Sequence, residues 1–158
     1  MRRVYTRDFA FFVALLATAL ALGAALAHAL EFPNKIGMAR DDYFIMQRAY
    51  DGWSQLAYLL GIELIAMLAV IWLYRSEPRV LWPAFVAFGA LVAAQSVFWI
   101  WTFPANQATK NWTVATENWE ILRRNWEYSH LAGAGFQIMA MAALILAVLA
   151  RNIRAVDT

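Results

Sequence analysis

The chain contains no cysteine, which excludes disulfides, thiolate metal sites, iron–sulfur clusters and cysteine nucleophiles. Charge is also scarce: only 15% of the 158 residues are charged, and there are just two histidines, His28 and His130. No Gly-rich phosphate loop or dinucleotide fingerprint is present, and there is no strand alternation, internal repeat or low-complexity tract. The net charge is only +2 and the arginines sit at the ends of apolar runs, so nucleic acid is not an expected partner. Those arginines read instead as topology signals and contacts to anionic lipid.

What the sequence has in excess is apolar length. With 63% hydrophobic residues, the chain lacks the polar surface a soluble domain of this size needs. Four apolar stretches stand out, about Phe9–Leu30, Leu56–Leu73, Leu81–Phe103 and Leu131–Ala150. Each is about long enough to cross roughly 30 Å of hydrocarbon at about 1.5 Å per residue. Lipid offers the backbone no hydrogen-bond partner, so each stretch must be a helix. The expected fold is an all-α, integral membrane four-helix bundle, antiparallel up-down, forming one domain over residues 1–158. Its helices are expected at about 9–30, 54–74, 81–103 and 127–150, with outer loops 31–53 and 104–126. Arg2, Arg3 and Ala27-His28-Ala29 around the first run resemble a signal peptide, but the run exceeds the usual ~7–15-residue apolar core and reads as a retained helix.

Arg2, Arg3, Arg7, Arg75, Arg79, Arg151 and Arg154 lie in the N-terminus, the 74–81 turn and the C-terminus. The positive-inside bias then puts both termini in the cytoplasm and the two long loops outside. In a Gram-negative host this means the inner membrane, with the loops periplasmic. Tyr43, Tyr50, Trp53, Trp101, Trp112, Trp119 and Trp126 fit an interfacial aromatic belt on that side.

The polar residues gather toward the same face. His28 and Glu31 close the first helix as His-x-x-Glu, and Glu127 and His130 open the fourth as Glu-x-x-His. Spacing of three puts each pair on one helical face, and antiparallel helices bring the pairs to one depth. Glu-x-x-His on a bundle helix is how di-iron and di-manganese carboxylate sites present ligands. His28, Glu31, Glu127 and His130 are therefore candidate ligands for a non-haem transition metal: iron, copper, zinc or manganese. Haem b between helices one and four is a second candidate, and a bundle with no cofactor a third.

Deeper in, Glu63, Gln95 and Gln137 share a level near mid-membrane. An intramembrane carboxylate costs at least ~2–3 kcal/mol, so Glu63 is expected to face the interior as a proton-transfer or ligand group, or as a protonated fastener bonded to a glutamine. Gln95, Trp99, Thr102 and Asn106 follow helical steps, as do His130, Ala134, Gln137 and Met141, and together they describe a polar funnel. Arg123 is a candidate contact for an anionic substrate group, or a surface partner of Glu120 and Glu127. Trp112, Trp119 and Trp126 recur every seven residues, like one face of an amphipathic lid. Ala132-Gly133-Ala134-Gly135 offers small residues for close helix packing.

Two blocks carry a family resemblance. The first is His28-Ala-Leu-Glu31-Phe-Pro33-Asn-Lys35 with Tyr43, Gln47 and Tyr50. The second runs from Pro104-Ala-Asn106 and Asn111-Trp112-Thr113 through Asn118-Trp119-Glu120 and Leu122-Arg123 to Trp126-Glu127-Tyr128-Ser129-His130. In these blocks, and in its four-span layout, the chain resembles the anthrone-oxygenase-like membrane proteins. That resemblance implies a small four-span bundle and, for the fungal branch, oxidation of polyketide anthrones to anthraquinones by molecular oxygen.

Two functions are expected from these residues. One is a membrane oxidoreductase, oxygen-dependent and metal-assisted, acting on a hydrophobic aromatic or quinone-like substrate in a pocket open to the outer face. In it His28, His130 and Glu63 would be catalytic, and Gln95, Trp99, Asn106, Arg123 and Gln137 would bind substrate, with a flat ring held between Trp99, Tyr58 and helix four. The alternative is a non-enzymatic accessory or small-ligand-binding protein whose polar cluster is structural. The partners expected are the lipid bilayer and a hydrophobic small molecule, with a second copy or another subunit as further candidates.

Overall fold

The computed structural model describes the backbone of residues 2–152 and the side chains of residues 4–151. Arg154 lies outside the described residues, as do the side chains of Arg2 and Arg3. The chain is an all-α membrane bundle. Its elements are α1 (Arg2–Lys35), α2 (Arg40–Gln47), two short 3₁₀ turns (Arg48–Tyr50 and Trp53–Gln55), α3 (Leu56–Leu73), α4 (Pro78–Val97), a π turn (Phe98–Thr102), α5 (Phe103–Ala108) and α6 (Trp119–Asn152). Four spans are long and apolar enough to cross a membrane: Val4–Lys35, Trp53–Leu73, Pro78–Ala108 and Trp119–Arg151.

The spans close into a ring in which α1 packs on α3, α3 on α4, α4 on α6, and α6 on α1. Each turns a seam of alternating four- and three-residue steps inward. The seams are Ala10, Ala14, Ala17 and Ala21 on α1; Glu63, Met67 and Val70 on α3, with Tyr74 just past its end; Val80, Ala84, Ala87, Leu91 and Ala94 on α4; and Gln137, Ala140, Leu144 and Ala147 on α6, all buried. Such a repeat keeps one stripe of each helix against its neighbours, and alanine lets the backbones approach closely. The large apolar side chains point the other way: Phe9, Phe12, Leu20, Ile65, Trp72, Trp82, Ile138 and Leu146 are all exposed. Small residues inside and bulky ones outside suit a lipid solvent, where the hydrophobic effect does not drive helices together.

Several boundaries differ from the sequence reading: the first helix already begins at Arg2 rather than about 9, and the third span reaches Ala108 rather than 103. The first helix continues past Leu30 to Lys35, and the last begins at Trp119 rather than 127. With 34 residues each, at about 1.5 Å per residue these helices are roughly 50 Å long and outreach a ~30 Å hydrocarbon core. Their extensions stand side by side at the end that carries the loops. There a second, aromatic core forms from Tyr43, Ala105, Trp112 and Trp126, with Met38, Phe44, Tyr50, Trp119 and Leu122 packed against it.

The link from α5 to α6 holds three consecutive left-handed residues, Lys110 (φ 48°), Asn111 (φ 55°) and Trp112 (φ 63°). That backbone costs a few kcal/mol for side-chain-bearing residues. It is compensated locally: Asn111 N–H donates to Asn106 O at 2.7 Å, Trp112 N–H to Thr109 Oγ1 at 3.0 Å and Val114 N–H to Thr109 O at 2.9 Å. Trp112 thus reaches the aromatic core through a left-handed turn, not from a helical face shared with Trp119 and Trp126.

Candidate functional site

The long extensions of α1 and α6 place His28, Glu31 and Lys35 opposite Trp126, Glu127 and His130, while α2 and the 3₁₀ turns bring in Tyr43, Tyr50 and Trp53. The two histidine rings are in contact, with centroids 4.2 Å apart and planes at 43°. Trp126 lies against His130 at 3.9 Å, and Tyr50 and Trp53 flank His28 at 4.4 and 5.1 Å. His130 Nδ1 is 2.8 Å from the Trp126 carbonyl oxygen. A carbonyl only accepts, so Nδ1 carries the hydrogen and Nε2 keeps the lone pair. His28 Nδ1 is buried with no protein partner.

Beside this pair sits a buried cation. The Lys35 side chain is only 1% exposed, with its ammonium 3.3 Å from Glu31 Oε2 and 3.5 Å from Glu127 Oε1. Lys35 Nζ also donates to the Tyr50 hydroxyl at 2.6 Å, and that hydroxyl donates to Glu31 Oε2. Tyr43 closes the far side by donating to Glu127 Oε1 at 3.0 Å. The ammonium further rests against the faces of Tyr50 and Trp126, at 4.7 and 5.0 Å from the centroids, an electrostatically favourable seat for a cation. Burial pushes the phenols of Tyr50 and Tyr43 well above the ordinary tyrosine range, and the adjacent Glu31 and Glu127 carboxylates raise them further. Both hydroxyls therefore stay protonated and act as donors.

The expected ring of four metal ligands does not assemble as one donor set. His28 and His130 meet, but Glu31 and Glu127 are committed to Lys35, whose positive charge sits where a dication would have to be neutralised. Among the described residues no group of three or more His, Asp or Glu is arranged to hold a metal ion. Of these four side chains, His28 Nδ1 and Glu127 Oε2 are buried without a protein partner.

Nor does the polar funnel form as a continuous stripe. The π turn Phe98–Thr102 adds a residue to the turn, with Phe103 N–H bonding back to Phe98 O. Its physical cause is Pro104, which lacks an N–H and whose ring would crowd the Ile100 carbonyl in a regular helix. One inserted residue rotates everything beyond it by roughly 100°. Trp99 is 57% exposed on the outer surface, and Tyr58 on α3 is 80% exposed, so the two do not clamp a ring inside the bundle. Gln95 stays half-buried on α4.

The remaining residues singled out from sequence are placed as follows. Asn106 Oδ1 accepts from the indoles of Trp126 at 2.9 Å and Trp112 at 3.2 Å, tying α5 to α6. Arg123 is buried, donates to Met38 O at 2.6 Å and lies over the Trp119 ring at 4.6 Å. It anchors the loop after α1 and pairs with neither Glu120 nor Glu127. Gln137 Nε2 donates to Glu63 Oε2 at 3.3 Å, and both residues are buried. This deeper pair is apart from the histidines, since seven residues of α6 at about 1.5 Å each set Gln137 roughly 10 Å below His130. Gly133 and Gly135 have open space where a Cβ would be, so they make no close helix contact within the bundle.

Lys35, Tyr43, Tyr50 and the Thr102–Ser129 hydroxyl pair, bonded at 2.6 Å between the π turn and α6, were named in the sequence only as motif, belt or stripe residues and not as members of the site. A signal for Lys35 was present: it stands four residues after Glu31 and seven after His28, on the same helical face. A shallow surface concavity of about 630 Å³ lined by Tyr5, Thr6, Asp8, Phe9 and Phe12 lies at the opposite end, away from this chemistry.

Fold and site together define a four-span helical membrane protein with a paired-histidine, lysine-centred cluster at its loop-bearing end. Comparison with protein-family models, with characterised proteins and with solved structures gives no match for this chain.

Proposed function

We propose that this protein is a membrane oxidoreductase of the anthrone-oxygenase kind, using the His28–His130 pair as a base on a hydrophobic aromatic substrate. The carrying observation is the imidazole pair in ring contact within an aromatic box, with His130 Nε2 oriented as the lone-pair nitrogen by the Trp126 carbonyl. A base in an apolar, aromatic surrounding suits removal of a proton from an activated CH₂ between two rings. The resulting carbanion gives its electrons to dioxygen; one oxygen atom becomes the new carbonyl and the other leaves as water, so CH₂ plus O₂ yields C=O plus H₂O. On the positive-inside bias of Arg7, Arg75, Arg79 and Arg151, the termini are cytoplasmic and the site faces the periplasm of a bacterial inner membrane.

The test is turnover of a hydroxylated anthrone by the protein in nanodiscs, followed by quinone absorbance and oxygen uptake. His130→Ala and His28→Ala should each lower the rate by ~10²-fold or more with the melting temperature retained. Wild-type protein no faster than empty nanodiscs, or histidine variants with full turnover, would refute the reading. One observation favours a second reading, a non-enzymatic accessory protein: Lys35, Glu127 and Tyr43 are all fully buried and bonded to one another or their neighbours, as in a structural fastener. Recovery of stoichiometric protein within a larger membrane complex, with no oxygen uptake, is its expected outcome.

A further inference from the structure

The imidazole of His28 is ringed by four aromatic groups. Tyr50 lies tilted against it at 4.4 Å between centroids and His130 at 4.2 Å, while Trp53 and Trp126 stand edge-on, both at 5.1 Å. His28 is only 7% exposed, so a second flat ring cannot reach it while Tyr50 stays in place. Tyr50 belongs to the segment Ala39–Asp51, which contains α2 and the first 3₁₀ turn. Access to His28 therefore depends on what holds that segment down.

Its backbone does not. Tyr43 N–H donates to Ala39 O at 3.0 Å, Asp51 N–H to Arg48 O at 3.1 Å, and Arg48 N–H to Ile45 O and Met46 O. Among the described residues, no backbone hydrogen bond joins residues 39–51 to a membrane span. The main chain of the segment is closed on itself.

Side chains hold it instead, and they fall into two groups. At one end Met38 O accepts from Arg123 Nη1 at 2.6 Å. At the other, Gly52 takes φ 84°, a left-handed conformation that glycine adopts freely. These two ends are the fixed points. Between them Tyr43 donates to Glu127 Oε1 at 3.0 Å, and the Tyr50 hydroxyl accepts from Lys35 Nζ at 2.6 Å and donates to Glu31 Oε2. All three partners are ionisable side chains of α1 and α6. Tyr50 has two roles at once: its ring covers His28 and its hydroxyl fastens the segment. A unit docked by a few side chains opens more readily than the spans beneath it, and such opening is how lids admit molecules to enclosed sites.

We propose that residues 39–51 form a lid over the His28–His130 pair, pivoting at Met38 and Gly52 and latched by the Tyr50 hydroxyl. What the lid admits, a flat aromatic molecule, rests on the oxidoreductase reading; its opening does not. A fixed cap would need the Tyr50 hydroxyl for the stability of the whole bundle. A latch needs it only for the segment, and this difference can be measured.

The chain has no cysteine, so one introduced thiol reports the opening. Gln47 of α2 is 4% exposed in the closed lid. The full chain with Gln47→Cys is placed in nanodiscs and labelled with a water-soluble maleimide, and hydrogen exchange of the cysteine-free chain is read by mass spectrometry. Tyr50→Phe keeps the ring and removes hydrogen bonds to charged groups, so labelling, and exchange of residues 40–51, should rise at least ~tenfold. Tyr43→Phe should act in the same direction. Exchange of residues 57–73 and 131–150, and the melting temperature, should stay at the parent values. Labelling and lid exchange unchanged by both phenylalanine variants, or acceleration spread equally over the spans, would overturn the lid and leave a fixed cap. If Gln47→Cys does not fold, hydrogen exchange with and without Tyr50→Phe decides. Neither readout needs turnover, so a protein inactive toward anthrones with a fast-opening Tyr50→Phe lid refutes the oxidoreductase reading alone, and an active one with a fixed cap refutes the lid alone.

Discussion

Lys35 is the residue whose loss should be felt most. It is 1% exposed, and Glu127 across from it is fully buried. Replacing lysine by methionine keeps the packed stem and removes the charge. Glu127 then retains Tyr43 as a donor at 3.0 Å, but its Oε2 already lacks a protein partner, and its charge is left uncompensated. At 3.5 Å and an effective dielectric near 20, the lost attraction is about 5 kcal/mol before resolvation. Breaking one side of a buried pair usually costs ~3–5 kcal/mol. Glu31 adds little, because its side chain is 43% exposed and water replaces the lost partner. Lys35→Met should therefore destabilise the protein by ~3–5 kcal/mol, or roughly 6–20 °C in melting temperature for a chain of this size. The decisive control is Lys35→Met with Glu127→Gln, which removes both charges and should regain at least ~2 kcal/mol of the loss. The assay is thermal unfolding in nanodiscs followed by tryptophan fluorescence, since Trp126 lies against the ammonium. A single variant within ~1 kcal/mol of wild type, or a double variant no more stable than Lys35→Met, would refute the reasoning.

Asn106→Leu should strand the indole N–H groups of Trp112 and Trp126, which share its Oδ1, at a cost of ~1–3 kcal/mol each; a lower melting temperature and a red-shifted tryptophan emission check it. The phenols of Tyr43 and Tyr50 are raised in the folded protein, so their contribution is complete below the unfolded tyrosine value of about 10 and is lost as pH rises beyond it. Alkaline titration of phenolate absorbance should show these two phenols ionising only with unfolding, and Tyr43→Phe with Tyr50→Phe should flatten the fall in stability above that pH. Two phenols that titrate near their ordinary value while the protein stays folded would contradict this.

The spans were legible from sequence because lipid imposes one rule on every backbone group, and that rule writes itself as continuous apolar length. The ends of the long helices were not legible from the same signal. Hydropathy falls where Glu31 and Lys35 begin, but helical hydrogen bonds continue through polar residues when a neighbour supplies packing, as α6 does for α1. So α1 runs on to Lys35 and α6 starts at Trp119. The funnel failed for a different reason. Spacing arguments assume 3.6 residues per turn throughout, and one π turn ahead of Pro104 breaks the phase between Gln95 and Asn106.

The histidine–glutamate constellation shows how far residue type and spacing carry an argument about chemistry. His28 and His130 were brought together from depth and topology alone, and they do meet. Glu31 and Glu127 were expected to join them because carboxylates beside imidazoles suggest ligands. The sequence also held the competitor for those carboxylates, one turn after Glu31 in Lys35, but a lysine near a loop reads as a solvated charge unless something shuts water out. Here Tyr43, Tyr50, Trp112 and Trp126 do so, and they come from four separate segments: α2, a 3₁₀ turn, the α5–α6 link and α6. Whether an acid at a helix end meets a metal or an amine is therefore decided by which aromatic groups wall it off, and that depends on the loop folding over α1 and α6. The same logic separates Glu63, which has no amine within its span of any helix. It is met instead by the Gln137 carboxamide and the Thr18 hydroxyl, which is why the two carboxylate levels of this bundle call for different experiments.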